Sequence, residues 1–486
     1  VRGATVKPSV FQVLSPEELA KIHERSLSLL ARVGVRVPHP EILGILASTA
    51  GIRVEEGAQT VRFSPEIVEA SIRGAAKSFS LFGRDATVRI NFGCGERIYL
   101  SSPGQYAWVD EDGEQRRSPR LSDARDAIKL GDALENIRWV GAMAAAVDIP
   151  AEVRDIYLTK ELLRGTRKPA WAWVGNGNTA RHILKLYEIV LGGSRQLREH
   201  PPLLCFVEPI SPLGYSRDGL DILLQYSRYG LPVCSGPMAT AGSTAPVTLA
   251  GTLVQENAEI LSTLVIAQRL SPGSPFCYGG IPHTMDPRTV EISFASPEFL
   301  LMAVCTAQLA RHYGFPVYIN TGMSDSKLCD AQSGLERGIT MALGVMTGAD
   351  TFGHLGICGF DQAASLNQLV IDDETIAYIE RFLRGFTVDE DTLAAEVIER
   401  VGVGGNYLAD EHTIRHLRAE IWVPRLLNKD SWERWWSSGH RSLAEVASER
   451  KRQLLSTHQQ APLEPGLAKE IDELVERATE ELVTGR

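Results

Sequence analysis

The sequence predicts an α/β chain built as a (β/α)8 TIM barrel, with an N-terminal helical and β-hairpin cap and a C-terminal helical extension. Three observations carry this expectation. From about Ile98 onward, eight short apolar runs alternate with helical stretches over some 270 residues: IYLSS at Ile98, WVGAMAA at Trp139, AWAWV at Ala170, LLCFVE at Leu203, PVCSG at Pro232, FCYGG at Phe276, PVYIN at Pro316 and TFGHLG at Thr351. Runs apolar on both faces and separated by helices are the signature of a parallel sheet with crossover connections. The seventh run ends abruptly in the polar loop Asn-Thr-Gly-Met-Ser-Asp-Ser-Lys (320–327), which opens a helix, and such strand ends are where a β/α barrel carries its chemistry.

The elements follow in chain order. Ser15-Pro16-Glu17-Glu18 reads as an N-cap, a proline in the first turn and acids against the helix dipole, and Gly34 reads as the stop. FSLFGR and TVRINFG, between Ser78 and Arg97, read as small antiparallel strands capping one end of the main body. YAWVDEDGEQRRS reads as a hairpin turning at Asp112-Gly113. The helix SPEFLLMAVCTAQLARHYG has a Ser-Pro-Glu start and a glycine stop. These readings divide the chain into a cap (1–97), a catalytic barrel (98–387) and a helical extension (388–486). In the extension, Trp432, Trp435 and Trp436 are read as a helix face seated on the barrel, the alternative being a docking surface or a lid.

Composition narrows the function classes. A formal net charge of −10 without clustered Lys and Arg argues against a nucleic-acid partner. No apolar stretch approaches the roughly 20 residues that span a bilayer, and the first residues lack the apolar core of a signal peptide, so a cytoplasmic enzyme is expected. The seven cysteines are odd in number and widely spaced, without CxxC or His-x-His, and read as reduced core thiols with no metal site. His412 and His416 have the i, i+4 spacing of a metal face, but with no third ligand in view they read as structural.

Several polar and aromatic residues fall at strand ends. Trp171 and Trp173, two apart on a strand, share a face; Glu208 closes an apolar strand; Tyr278 precedes two glycines; Asn320, Asp325 and Lys327 follow the seventh strand; His354 lies in the eighth. Aromatic faces with a carboxylate suit a quaternary ammonium ion, which cannot donate strong hydrogen bonds and is held by cation–π attraction and charge. The expected cation site is Trp171, Trp173, Tyr278 and Glu208, with His354 and Asp325 as catalytic residues that position the transferring group. Each has a packing alternative: the tryptophans against outer helices, Glu208 against a structural Arg, His354 as a hydrogen-bonded core residue.

The segments GMSDSKLCDAQSGLERG (322–338), GADTFGHLGICGFDQAASLNQLVIDDE (348–374) and GGNYLADEHTIRHLRAEIWVP (404–424) resemble the trimethylamine methyltransferase family over nearly the whole chain. The resemblance implies methyl transfer from a methylated amine to the Co(I) of a corrinoid (cobalamin) carried by a partner protein, with no cofactor tightly bound to the enzyme itself. Founding members of the family carry pyrrolysine in the loop that aligns with 316–332; here every position is an ordinary residue. A quaternary amine such as glycine betaine is already cationic and leaves as a neutral amine, so it needs neither pyrrolysine nor a zinc Lewis acid. Asn320, Lys327 and the helix start after Ser333 are the candidates for its carboxylate. The alternatives are a barrel lyase or hydrolase, or a betaine-binding protein without transfer activity; homo-oligomerisation stays open.

Overall fold

The computed structural model describes residues 11–110 and 115–485. Its centre is an eight-stranded parallel sheet: β1 (Ile98–Ser101), β2 (Ile137–Gly141), β3 (Ala170–Trp171), β4 (Cys205–Val207), β5 (Val233–Ser235), β6 (Phe276–Gly279), β7 (Val317–Ile319) and β8 (Thr351–Leu355). The strands are separated by helices α1 (Leu121–Ala133), α2 (Arg154–Gly165), α3 (Gly177–Leu191), α4 (Arg217–Ser227), α5 (Leu249–Leu270), α6 (Pro297–Tyr313) and α7 (Ala331–Met346), and α8 (Leu366–Arg384) follows β8. Each of the eight apolar runs overlaps one of these strands, the second strand beginning two residues ahead of its run. They hydrogen-bond in the order β3-β2-β1-β8-β7-β6-β5-β4, so the first and last strands are neighbours and the sheet curls. Among the described residues no backbone ladder joins β3 to β4. There the rings of Trp171 and Phe206 lie 5.3 Å apart beside a cavity of about 40 Å³, and side chains rather than backbone span the junction.

The N-terminal end of the sheet is plugged. The hairpin Phe79–Phe82 and Arg89–Phe92 sends Leu81, Ile90 and Phe92 into the same apolar cluster as Ile98 and Trp139, with Phe92 edge-on to Trp139. The helix Pro16–Arg32 begins with the expected capping box, Ser15 and Glu18 exchanging hydrogen bonds of 2.8 and 3.2 Å, and packs along α5. At the opposite end two small sheets rim the mouth. One joins Thr240–Ala241, His283–Met285 and Ile292–Ser293; the other joins Ile357–Cys358, Ala363–Ala364, Ala107–Val109 and Arg116–Arg117. The last two strands form the hairpin expected there, whose turn at Asp112-Gly113 lies outside the described residues.

The helices Leu443–Thr457 and Pro465–Thr479 close the outside, the first against α8 and α1, the second against α2 and α3. The tryptophan segment departs from expectation. Trp432 and Trp436 are 68% and 58% exposed, and the three rings stack on one another and on His440 instead of on the sheet's helices. The helix that carries them is only six residues long, and none of its residues is buried. Among the described residues no helix is long and apolar enough to cross a membrane.

Candidate functional site

Strand parity decides which side chains enter the curled sheet. Leu100, Trp171, Leu204, Cys234, Cys277 and Tyr318 meet inside, with Trp173 and Phe206 packed on them toward the mouth. Because alternate residues share a face, Glu208 continues the inward row Leu204–Phe206, and Asn320 continues that of Tyr318. In β8 regular alternation would not bring in His354. The register shifts between Phe352 and Leu355, at Gly353, and the bulge turns His354 inward. A Cβ at Gly353 would lie 2.6 Å from the Leu100 carbonyl oxygen, so the bulge requires glycine. Gly236 has a different function: any Cβ there would sit 2.3 Å from the Phe206 ring.

The result is a nest of rings. Trp173 stands edge-on to Trp171, Phe206 and His354 with centroids 5.1, 6.0 and 5.7 Å apart, and Tyr318 is 5.2 Å from Phe206. The Trp173 indole N–H is spent on the Gly104 carbonyl at 3.2 Å, which fixes the ring. The rings pack mainly edge to face, Trp171, Trp173 and Phe206 border a cavity of about 40 Å³, and aromatic faces of this kind attract a methylated cation.

Polar groups complete it. The Tyr318 hydroxyl and His354 Nε2 are 2.7 Å apart. Burial holds the phenol neutral, well above its usual range, and pushes the imidazole down to about 3, so the pair is uncharged near neutrality. With the phenol donating to Nε2, the ring proton sits on Nδ1, and this buried atom has no partner. The Asn320 side-chain oxygen is also buried and unpaired. Water reaches the Glu208 carboxyl, but protein crowds it on most sides, and the lost hydration pushes its pKa up to about 7. Asp361 is likewise raised to about 7 by lost hydration, against a 2.6 Å hydrogen bond from Gln105, with the charge of Glu208 adding to the shift. Phe360 and Asp361 both have left-handed backbone, at φ 53° and 66°, the kind of local strain that collects at functional sites.

A buried ion pair fixes the loops of β7 and β8 against each other. Arg337 bonds Asp372 at 2.9 Å and donates to the carbonyls of Gly322 and Ile357. The family-like segments 322–338 and 348–374 thus meet through one guanidinium.

Of the residues singled out from the sequence, Trp171, Trp173, Glu208, Asn320 and His354 come together. Tyr278 does not. It lies on the outer face of β6, its hydroxyl donating to Asn257 of α5 at 2.8 Å, while its neighbour Cys277 points inward. Asp325 accepts from Ser293 and from the Phe294 N–H at 2.5 and 2.8 Å, clamping the loop of β7 to the strand Ile292–Ser293. Lys327 is exposed, 4.1 Å above the Phe360 ring, and with Asp325 it borders a neighbouring hollow of about 460 Å³. Sequence reasoning missed Phe206, Tyr318, Gln105 and Asp361. The first two stand two residues before Glu208 and Asn320, so the parity argument could have found them. Gln105 and Asp361 lie in irregular loops that carry no periodic signal.

The family model described as trimethylamine methyltransferase matches residues 2–483. A glycine betaine methyltransferase of Desulfitobacterium hafniense is 30% identical over 457 residues, 94% of each chain. The trimethylamine methyltransferase MttB of Methanosarcina thermophila is 32% identical over 468 residues, 94% of this chain and 95% of that one. Among solved structures, the monomethylamine methyltransferase MtmB of Methanosarcina barkeri superposes with a TM-score of 0.52 at 11% identity, covering 95% of this chain and 88% of its own, a likeness of fold.

Proposed function

The chain belongs to the trimethylamine methyltransferase family, and from that premise we propose that this methyltransferase takes a methyl group from a quaternary amine of the glycine betaine type and delivers it to the Co(I) of a corrinoid held by a partner protein. The observation that carries the reading is the wall of rings, Trp171, Trp173, Phe206 and Tyr318, with the carboxyls of Glu208 and Asp361 close beside it. A trimethylammonium group placed there would restore both acids to their ionised form and take the hydrophobic contact of the rings. At the other end of the ligand, the unpaired Nδ1–H of His354 suits a carboxylate oxygen, and Tyr318 fixes the tautomer that presents it. Asn320 lies on the same inward row.

A quaternary nitrogen leaves as a neutral amine once its methyl is attacked. The protein then has to hold the methyl carbon in line and keep water away. The ring wall does both. Asp325 is read as a positioning residue acting through the loop it clamps, and Lys327 as a residue of the rim. The reading takes the curled sheet as a barrel closed at β3–β4 by Trp171 and Phe206. The seven free thiols fit a reducing, cytoplasmic setting.

The test is methylation of a Co(I) corrinoid followed by its visible spectrum, offering glycine betaine, carnitine, proline betaine, choline and trimethylamine in turn. Turnover of glycine betaine is expected. Turnover of trimethylamine with none of the betaines would overturn the substrate assignment.

A further inference from the structure

The i, i+4 histidines of the helix Glu411–Glu420 do have a third partner, supplied from 21 residues upstream. Asp391, in the short helix Glu390–Leu393, brings Oδ2 to 3.1 Å from His416 Nε2. One donor atom each from Asp391, His412 and His416 lie within 4.8 Å of one another, and the imidazole centroids are 4.3 Å apart. Two details separate this from an ordinary ion pair. His416 Nε2 is buried and has no hydrogen-bond partner despite the nearby carboxylate oxygen, so the contact is not a directed hydrogen bond. It does match an edge of a tetrahedral site, where two donors each about 2.0–2.1 Å from the ion stand roughly 3.3 Å apart. In addition, Arg415 donates to the other oxygen, Oδ1, at 3.2 Å, orienting the carboxylate as an outer partner does and leaving Oδ2 free for an ion.

From this geometry we infer that Asp391, His412 and His416 form a binding site for a divalent transition-metal ion, Zn²⁺ foremost. Two imidazoles and one carboxylate favour zinc over magnesium or calcium, which prefer all-oxygen sites. His412 Nε2 lies 3.0 Å from the Asp391 carbonyl oxygen, and a side-chain rotation would bring it onto an ion shared with the other two. An open hollow of about 700 Å³, lined by Asp391, His412 and Glu411, gives an ion its entry and leaves room for water as fourth ligand. The bound ion would tie the two helices together across the loop between them, bracing a part of the chain with little core of its own: neither helix contains a buried residue.

The test uses the full-length, untagged protein stripped of metal and titrated with Co²⁺ and, separately, Zn²⁺. One equivalent of Co²⁺ per chain should produce the intense visible bands of a tetrahedral ion, displaced by Zn²⁺, and Zn²⁺ should raise the melting temperature. His416→Gln and Asp391→Asn should each weaken Zn²⁺ binding by roughly tenfold or more, and the His412→Ala/His416→Ala variant should lose both the bands and the thermal shift. Far less than one equivalent bound, octahedral spectra alone, or equal binding by the variants would overturn the assignment. Should the double variant unfold, the two single substitutions decide.

Discussion

The two ends of the curled sheet are built from the same kinds of ring and behave differently. At the N-terminal end, Phe92 and Trp139 meet edge to face among Leu81, Ile90 and Ile98, and the hairpin seals them. At the C-terminal end, Trp173, Phe206 and Tyr318 adopt similar edge-on geometry, but next to the carboxyls of Glu208 and Asp361 and a His354 ring nitrogen without a partner. Aromatic density alone therefore does not mark a binding site. The sealed end also leaves one buried polar atom without a partner, the Trp139 indole nitrogen, so the distinguishing feature is the gathering of several at the mouth, where His354 Nδ1 and the Asn320 amide oxygen lie near two carboxyls and where a ligand can offset the cost of leaving them unpaired.

The comparison breaks most visibly at the sealed end. Phe92→Ala should lower stability by about 3–5 kcal/mol in denaturant titration, leaving betaine affinity of the folded fraction unchanged. At the open end the pattern reverses. Glu208→Gln should weaken cation binding by about 2 kcal/mol or more, measured by calorimetry, while the melting temperature holds because the side chain is exposed at the mouth.

The same acids set a pH dependence. Their folded pKa of about 7 lies above the unfolded values near 4, so the stability they contribute to the ligand-free protein is present below about pH 4 and is lost as pH rises through 7. Betaine affinity should run the other way, rising with pH across 6–8. Melting curves with and without ligand check both, and the Glu208→Gln/Asp361→Asn variant should flatten both trends.

Smaller effects sharpen the boundary of the site. Trp173→Leu should cost binding roughly 0.5–2 kcal/mol. Tyr278→Phe should leave affinity alone and remove only its hydrogen bond to Asn257, about 0.5–1.5 kcal/mol of stability. A loss of affinity in Tyr278→Phe would place the cation site on the wrong face of β6.

These contrasts also show what the sequence could and could not convey. The eight strands were legible because each is buried on both faces and so reads as an unbroken apolar run. That same property hides which face is inner: Cys277 and Tyr278 are equally apolar in context, and only the curl of the sheet tells them apart. Trp171 and Trp173 were recoverable from their spacing, and Glu208 from the cost of a carboxyl at the end of such a strand. His354 turns inward through a bulge at Gly353 that regular alternation does not predict, and Asp361 reaches the site through two left-handed residues in a loop. The exposure of Trp432 and Trp436 was not legible, since composition gives a helix an apolar face without saying what covers it.

The central claim is that Glu208 and Asp361 receive the cation by giving up protons. It is tested most directly by counting protons released on glycine betaine binding, using calorimetry near pH 6.5 in buffers of different ionisation enthalpy. Net release is predicted for the wild type and its absence for the Glu208→Gln/Asp361→Asn variant. Binding with no proton release, or with the same release in the variant, would contradict the account.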